Sequence, residues 1–167
     1  MANILAFFGI LIIFAVCYPA LLLLIWHTQP AAARTRDRLL RMPRRCAALG
    51  LGVTLLLGMP ALVLFSSASG VAQFLGWLIV AGTLGLSAIG ASGLAALLGA
   101  RIRPDTQSPV LIGAIALALA NAFPVLGWLF ALPIAHCATL GASAMALVSS
   151  QRENAPAPAS VSAPAHA

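Results

Sequence analysis

Lysine is absent from this 167-residue chain, acidic residues number three, tyrosine occurs once, and charged residues make up only 7% of the sequence. So few charges cannot clothe a water-facing surface, which excludes an ordinary soluble domain. The three cysteines, Cys17, Cys46 and Cys137, show no C-x-x-C spacing, so neither a disulfide relay nor a zinc site is indicated. A Gly-rich phosphate loop, a G-x-S-x-G nucleophile and paired acids are also missing. These absences point away from an enzyme and leave no cofactor to assign.

What is there is apolar and arginine-marked. Hydrophobic residues make up 62% of the chain, and the mean hydropathy is +1.04. The formal charge is +6 and the pI near 11.1, a balance that in a soluble protein would suggest nucleic acid. Here it comes from nine arginines in three places, Arg34 to Arg45, Arg101 with Arg103, and Arg152. On so apolar a chain that pattern reads as a topogenic signal, and no nucleic acid is expected.

The first apolar stretch, residues 4–26, exceeds the ~20 residues a helix needs to cross ~30 Å of hydrocarbon. No basic residue precedes it and it is too long for a signal-peptide h-region, so it is read as a span of the mature protein. Pro19 is expected to kink it, and Trp26 and His27 mark its interfacial end. Arg34, Arg36, Arg38, Arg41, Arg44 and Arg45 then stand against the lone Asp37 in a segment dense enough in arginine to resist translocation. That segment is expected to be cytoplasmic and to contact the membrane surface or a partner. Its Arg38 to Met42 core is suited to lying as a short amphipathic helix on anionic headgroups, although a plain topogenic loop is the preferred reading.

Residues 47–65 and 71–98 form the second and third spans, joined by the uncharged turn Ser66 to Gly70. The third returns the chain to Arg101 and Arg103. Residues 110–148 are nearly uncharged and would make a helix of ~58 Å, about twice the hydrocarbon thickness, so one straight span is excluded. The break is placed at Asn121 to Trp128, where Pro124 disfavours helix before it and Trp128 favours the interface. The expectation is a tight hairpin of spans 109–122 and 125–148, giving five crossings and placing Arg152 with the other eight arginines. Residues 1–150 are the transmembrane domain, and the Ala-, Pro- and Ser-rich residues 151–167 are expected to be a disordered cytoplasmic tail.

Small residues show how such spans would associate. Ser87, Ala91, Ala95 and Gly99 recur every four residues in the third span, beside a second row of Ala88, Ser92, Ala96 and Ala100. Ala138, Ala142 and Ala146 repeat the device in the last span. The rows serve an intramolecular bundle, which is preferred, or a homo-oligomer. No Asp, Glu, Lys or Arg falls inside a predicted span, which argues against pumps and ion-coupled transport. His136, next to Cys137, is the one imidazole within a span and marks an intramembrane polar site. A neutral imidazole bonded to a neighbouring helix is the preferred account of it, since a haem would need an axial partner and only His27 is near the membrane. Cys46 is juxtamembrane and open to acylation, but an ordinary free thiol is favoured.

The segments Met42-Pro43-Arg44-Arg45-Cys46-Ala47-Ala48-Leu49-Gly50, Leu98-Gly99-Ala100-Arg101, Phe123-Pro124-Val125-Leu126-Gly127-Trp128 and Leu140-Gly141-Ala142 resemble a group of bacterial membrane proteins associated with bactofilins, the polymer-forming cytoskeletal proteins. The likeness covers Met42 to Leu147. Some of that group carry a soluble domain before the helices, which this chain lacks. The resemblance implies a scaffold or assembly role at the inner membrane beside a cytoskeletal partner, with no catalytic residue to transfer.

The fold expected is therefore an all-α polytopic transmembrane bundle in a bacterial inner membrane, with its N-terminus periplasmic and its C-terminus cytoplasmic. The arginine and alanine bias fits a GC-rich bacterial genome. Two rival functions make distinct demands. A small transporter or channel subunit requires a water-accessible cavity around Gln73, Asn121 and His136. A haem- or quinone-linked subunit requires an axial ligand set that includes His136.

Overall fold

The computed structural model describes residues 2–123 and 127–153, and among these there is no β-strand. Six α-helices follow in order: α1 (Ala2–Thr28), α2 (Ala31–Arg41), α3 (Pro43–Ser66), α4 (Gly70–Ile102), α5 (Pro109–Ala122) and α6 (Leu132–Glu153), the last entered through a π-helical turn at Gly127–Ala131. The expected turn residues Pro124 to Leu126 and the expected disordered tail from Asn154 onward lie outside the described residues. Residues 151–153, assigned above to the tail, instead continue α6.

Local sequence accounts for the boundaries. Pro43 and Pro109 open α3 and α5 at positions where the absent N–H has no partner to lose. Pro19 and Pro60 lie inside α1 and α3 without interrupting either helix. At Gln29-Pro30 the axis turns by 101° into α2, with the Gln29 N–H still donating to the Ile25 carbonyl at 2.8 Å. Pro133 has no N–H to return to the preceding turn, and the wider π turn stands directly before it.

Three helices, Pro43–Ser66, Gly70–Ile102 and Leu129–Ser149, are long and apolar enough to cross a membrane, and a fourth span results if the bent pair Ile13–Thr28 and Ala31–Arg41 is counted as one. Helix α5 has 14 residues, or ~21 Å, and falls short of the ~30 Å of hydrocarbon. Its Asn121 borders the same groove as Leu84 and Ser87, deep along α4, so α5 stops well inside the bundle.

Burial is ordered by size in the reverse of a soluble core. The fully buried positions are mostly small, among them Ala95, Ala114, Ala142, Ala146, Ser92 and Ser143, while Leu56 is 72% and Val63 67% exposed on α3. Close approach of helix backbones explains this. A Cβ on Gly50 of α3 would run into the Cys137 carbonyl of α6, and one on Gly141 would meet the Cys46 carbonyl in return. Gly99 of α4 and Gly113 of α5 form the same reciprocal contact through the carbonyls of Pro109 and Ala95. Such seams hold helices together by van der Waals contact where lipid supplies no hydrophobic drive.

Helix α4 is the hub, touching α1, α2, α3, α5 and α6. The contacts also fix direction. Phe65 of α3 lies against Gly76 of α4, and Gly99 of α4 against Pro109 of α5, so both pairs are antiparallel. Leu22 of α1 packs with Ala95, whereas Phe14 and Tyr18 share a groove with Leu84 and Ser87, so α1 runs parallel to α4. Thr139 meets Ser87 and Ala142 meets Leu97, so α6 runs parallel to α4 as well. The expected hairpin packs at its outer end only, where the π turn Gly127–Ala131 lies against α5 and a Cβ on Gly127 would meet the Ala120 carbonyl. Helices α5 and α6 lean on α4 separately, α5 with α1 on one flank and α6 with α3 on the other. Gly113 of α5 is spent on Ala95 of α4, and Ala114 packs with Ala95, Ala96 and Leu22.

Candidate functional site

Alternating directions bring the ends of α1, α4 and α6 and the starts of α3 and α5 to one end of the bundle, and α2 is docked there. Its buried residues, Ala32, Thr35 and Leu39, follow helical spacing along one face. Gly93 of α4 receives it: a Cβ there would lie 2.8 Å from the Ala32 carbonyl oxygen and 2.9 Å from the Arg36 nitrogen. The Thr35 hydroxyl, fully buried, donates to the Ala32 carbonyl at 2.7 Å and needs no partner from α4. Leu39 packs with Cys46, Leu97 and Ala142. The segment preferred as a plain topogenic loop is thus a helix, and the apolar face that could have rested on lipid headgroups is taken by protein, with Leu40 outside and Met42 a break between α2 and α3.

The arginines divide accordingly. Arg34, Arg41, Arg44 and Arg45 are exposed and Arg38 is half-buried. Arg36 turns inward, its Nε withdrawn from solvent with no hydrogen-bond partner among the described residues. Arg45 donates to the Met42 sulfur at 3.7 Å, and a concavity of about 450 Å³ at the α2–α3 junction is lined by Arg41, Met42, Pro43, Arg44 and Arg45. Arg101 and Arg103 are exposed at the same end. Cys46 is 0% exposed, its thiol directed at the Arg38 carbonyl 3.7 Å away, so it is not presented for acylation.

Of the small-residue row on α4, Ser87 contacts α6, Ala95 and Gly99 face α5, and Ala91 packs beside the Leu22 cluster. The Ser87 and Thr139 hydroxyls are 2.9 Å apart, and Thr139 also reaches the His136 carbonyl at 3.1 Å. Sequence reading passed over Thr139, Ser143 and Thr35. The four-residue spacing of Thr139 and Ser143, one position beyond the Ala138 and Ala142 row, was the available signal.

His136, half-buried, borders two cavities. One, of about 210 Å³, is bounded by Tyr18 of α1, Ser87 of α4, Asn121 of α5 and Thr139 of α6, with leucines and alanines between them. The other, of about 60 Å³, lies between α3 and α4 against Thr54, Ala61 and Thr83. Gln73 belongs to neither: its amide donates to the Ser67 carbonyl at 3.2 Å in the α3–α4 turn. The larger cavity extends no nearer the basic end than Leu94. His27 sits in the last turn of α1 with Nδ1 against the Leu23 carbonyl at 2.9 Å, turns away from the level of His136. The structure therefore does not bring the two histidines together as an axial pair, and no group of three His, Cys, Asp or Glu side chains able to hold a metal occurs among the described residues. No protein-family model, curated protein or solved structure matches this chain.

Proposed function

We propose that the chain is a non-catalytic membrane scaffold of five crossings, its arginine-bearing end in the bacterial cytoplasm, which anchors a polymer-forming cytoskeletal partner at the inner membrane. The observation that carries this reading is the convergence of the exposed arginines on one end of a bundle whose other surfaces are apolar and whose helices alternate in direction. Positive charge is retained on the cytoplasmic side, which supports this orientation. The short α5 packs against α1 and α4 within the bundle. The concavity at Arg44 and Arg45 presents cations beside Met42 and Pro43 on the outside of the α2–α3 junction, a surface suited to an acidic partner segment.

A photoreactive residue at Arg44 or Arg45 in intact cells tests the reading. Recovery of a cytoplasmic polymer-forming protein is expected, and recovery of lipid alone overturns the partner. A reporter fused after Ala167 tests orientation independently, since activity outside the cytoplasm would remove the five-crossing arrangement. A small transporter subunit is the second reading, supported by the groove that joins Asn121 to His136. It requires substrate flux that is lost when His136 is replaced by Ala.

A further inference from the structure

We infer that the basic end carries a binding site for one anionic phospholipid, built between α2 and the end of α6 and bordering the Arg44 and Arg45 surface at Arg41 and Met42. The inference rests on the basic end lying at a membrane surface.

Arg34, Arg38 and Arg41 recur at helical spacing on one face of α2, and with Asp37, Met42 and Ser149 they line a concavity of about 320 Å³. Three guanidinium groups against one carboxylate leave a net charge of 3 − 1 = +2 around it. Arg38 and Ser149 also border an apolar groove of about 290 Å³ lined by Leu49 of α3 and Ala144, Met145 and Val148 of α6. Across these two shared residues the lining changes from fork-shaped donors to aliphatic side chains.

That order matches a phospholipid entering from the side. Its phosphate would meet Arg38 and Arg41, whose planar groups bind phosphate through paired N–H donors. One acyl chain would follow the groove past Leu49 and Val148, which are 43% and 54% exposed on the apolar surface of the bundle. The Ser149 hydroxyl donates to the Ala146 carbonyl at 2.9 Å, which leaves Arg38 and Arg41 as the donors this site offers a headgroup. A soluble phosphate would have no use for the groove, and a zwitterionic lipid brings its own cation into the field of Arg38 and Arg41.

The site is also held in shape beforehand. Gly93 allows α2 to seat on α4, Leu39 anchors it, and the Cys46 thiol meets the carbonyl of Arg38 itself. Arginines on a docked helix lose less freedom on binding than arginines on a loose loop, which favours retention of a particular lipid over a diffuse charge cloud.

The full-length protein in detergent, supplied with phosphatidylglycerol or phosphatidylcholine and observed by native mass spectrometry, gives the test. Wild type is expected to retain phosphatidylglycerol preferentially. R38Q/R41Q is expected to weaken that retention about tenfold or more, whereas R101Q/R103Q, which removes the same charge from the same end, leaves it unchanged. V148W, which fills the groove and keeps every arginine, is expected to reduce retention of the diacyl lipid. Equal losses in the two arginine variants, equal retention of both lipids, or full displacement by millimolar inorganic phosphate would each overturn the site. Thermal unfolding of every variant separates loss of binding from loss of fold. Reporter orientation at Ala167 separates failure of this site from failure of the five-crossing arrangement.

Discussion

Replacing Gly50 with alanine adds one methyl group at the α3–α6 seam, where it meets backbone rather than a movable side chain. The new Cβ would overlap the Cys137 carbonyl oxygen and lie 2.6 Å from its carbon and 2.9 Å from the Gly141 nitrogen. Ordinary carbon contact begins at about 3.5 Å, so the helices must separate locally by about 1 Å or more. A gap of that size forfeits roughly a quarter to a half of each contact well it opens. Because the contact is reciprocal through Gly141 and Cys46, the loss spreads along the seam, and G50A should destabilise the bundle by about 2 to 3 kcal/mol. Gly52, two residues on, has nothing within 4 Å of its would-be Cβ, and G52A should be neutral or stabilising by about 0.5 to 1 kcal/mol. Unfolding of both variants in bicelles by titration with a denaturing detergent measures the difference. The double variant G50A/G141A should cost less than the sum of the singles, since one separation relieves both contacts. Equal stability of G50A and G52A would refute the seam.

A double-mutant cycle on S87A and T139V, read in the same unfolding assay, should give a coupling near 0.6 kcal/mol and no more than about 1.7, the range for hydrogen bonds between membrane helices. The Ser143 hydroxyl is buried without a hydrogen-bond partner among the described residues, so S143A should leave stability unchanged or raise it by up to about 1 kcal/mol. Cys46 should resist a membrane-permeant maleimide in the folded protein and react once the protein is unfolded, as followed by intact mass. Gly93→Leu should lift α2 from α4 and make Cys46 reactive; an unreactive Cys46 in that variant would show that α2 is not held by this contact.

Helical content and the sites of chain reversal were legible because lipid leaves the backbone little alternative to helix, and apolar length with flanking arginine is a one-dimensional signal. The start of α5 at Pro109 is an example. The docking of α2 was less legible. An amphipathic helix of arginine and leucine offers the same periodicity to a headgroup layer as to a protein groove, and the choice rests on Gly93, which lies more than fifty residues away in sequence. The separation of α5 from α6 was hidden for a related reason: adjacency along the chain favours a hairpin, but glycine and alanine faces pair by shape.

For the candidate site, the sequence named the arginines but treated them as one group. Only the packed structure withdraws the Arg36 Nε from solvent, sets Arg38 between a basic concavity and an apolar groove with Leu49 and Val148, and groups Arg41 with Arg44 and Arg45 at the α2–α3 junction. By itself the sequence determined that this chain is helical, suited to a membrane and arginine-marked, because hydropathy and charge are properties of each residue. Which helices touch, which hydroxyls meet and which arginines share a cavity were decided by tertiary structure, because backbone approach between helices depends on surfaces that no local segment contains.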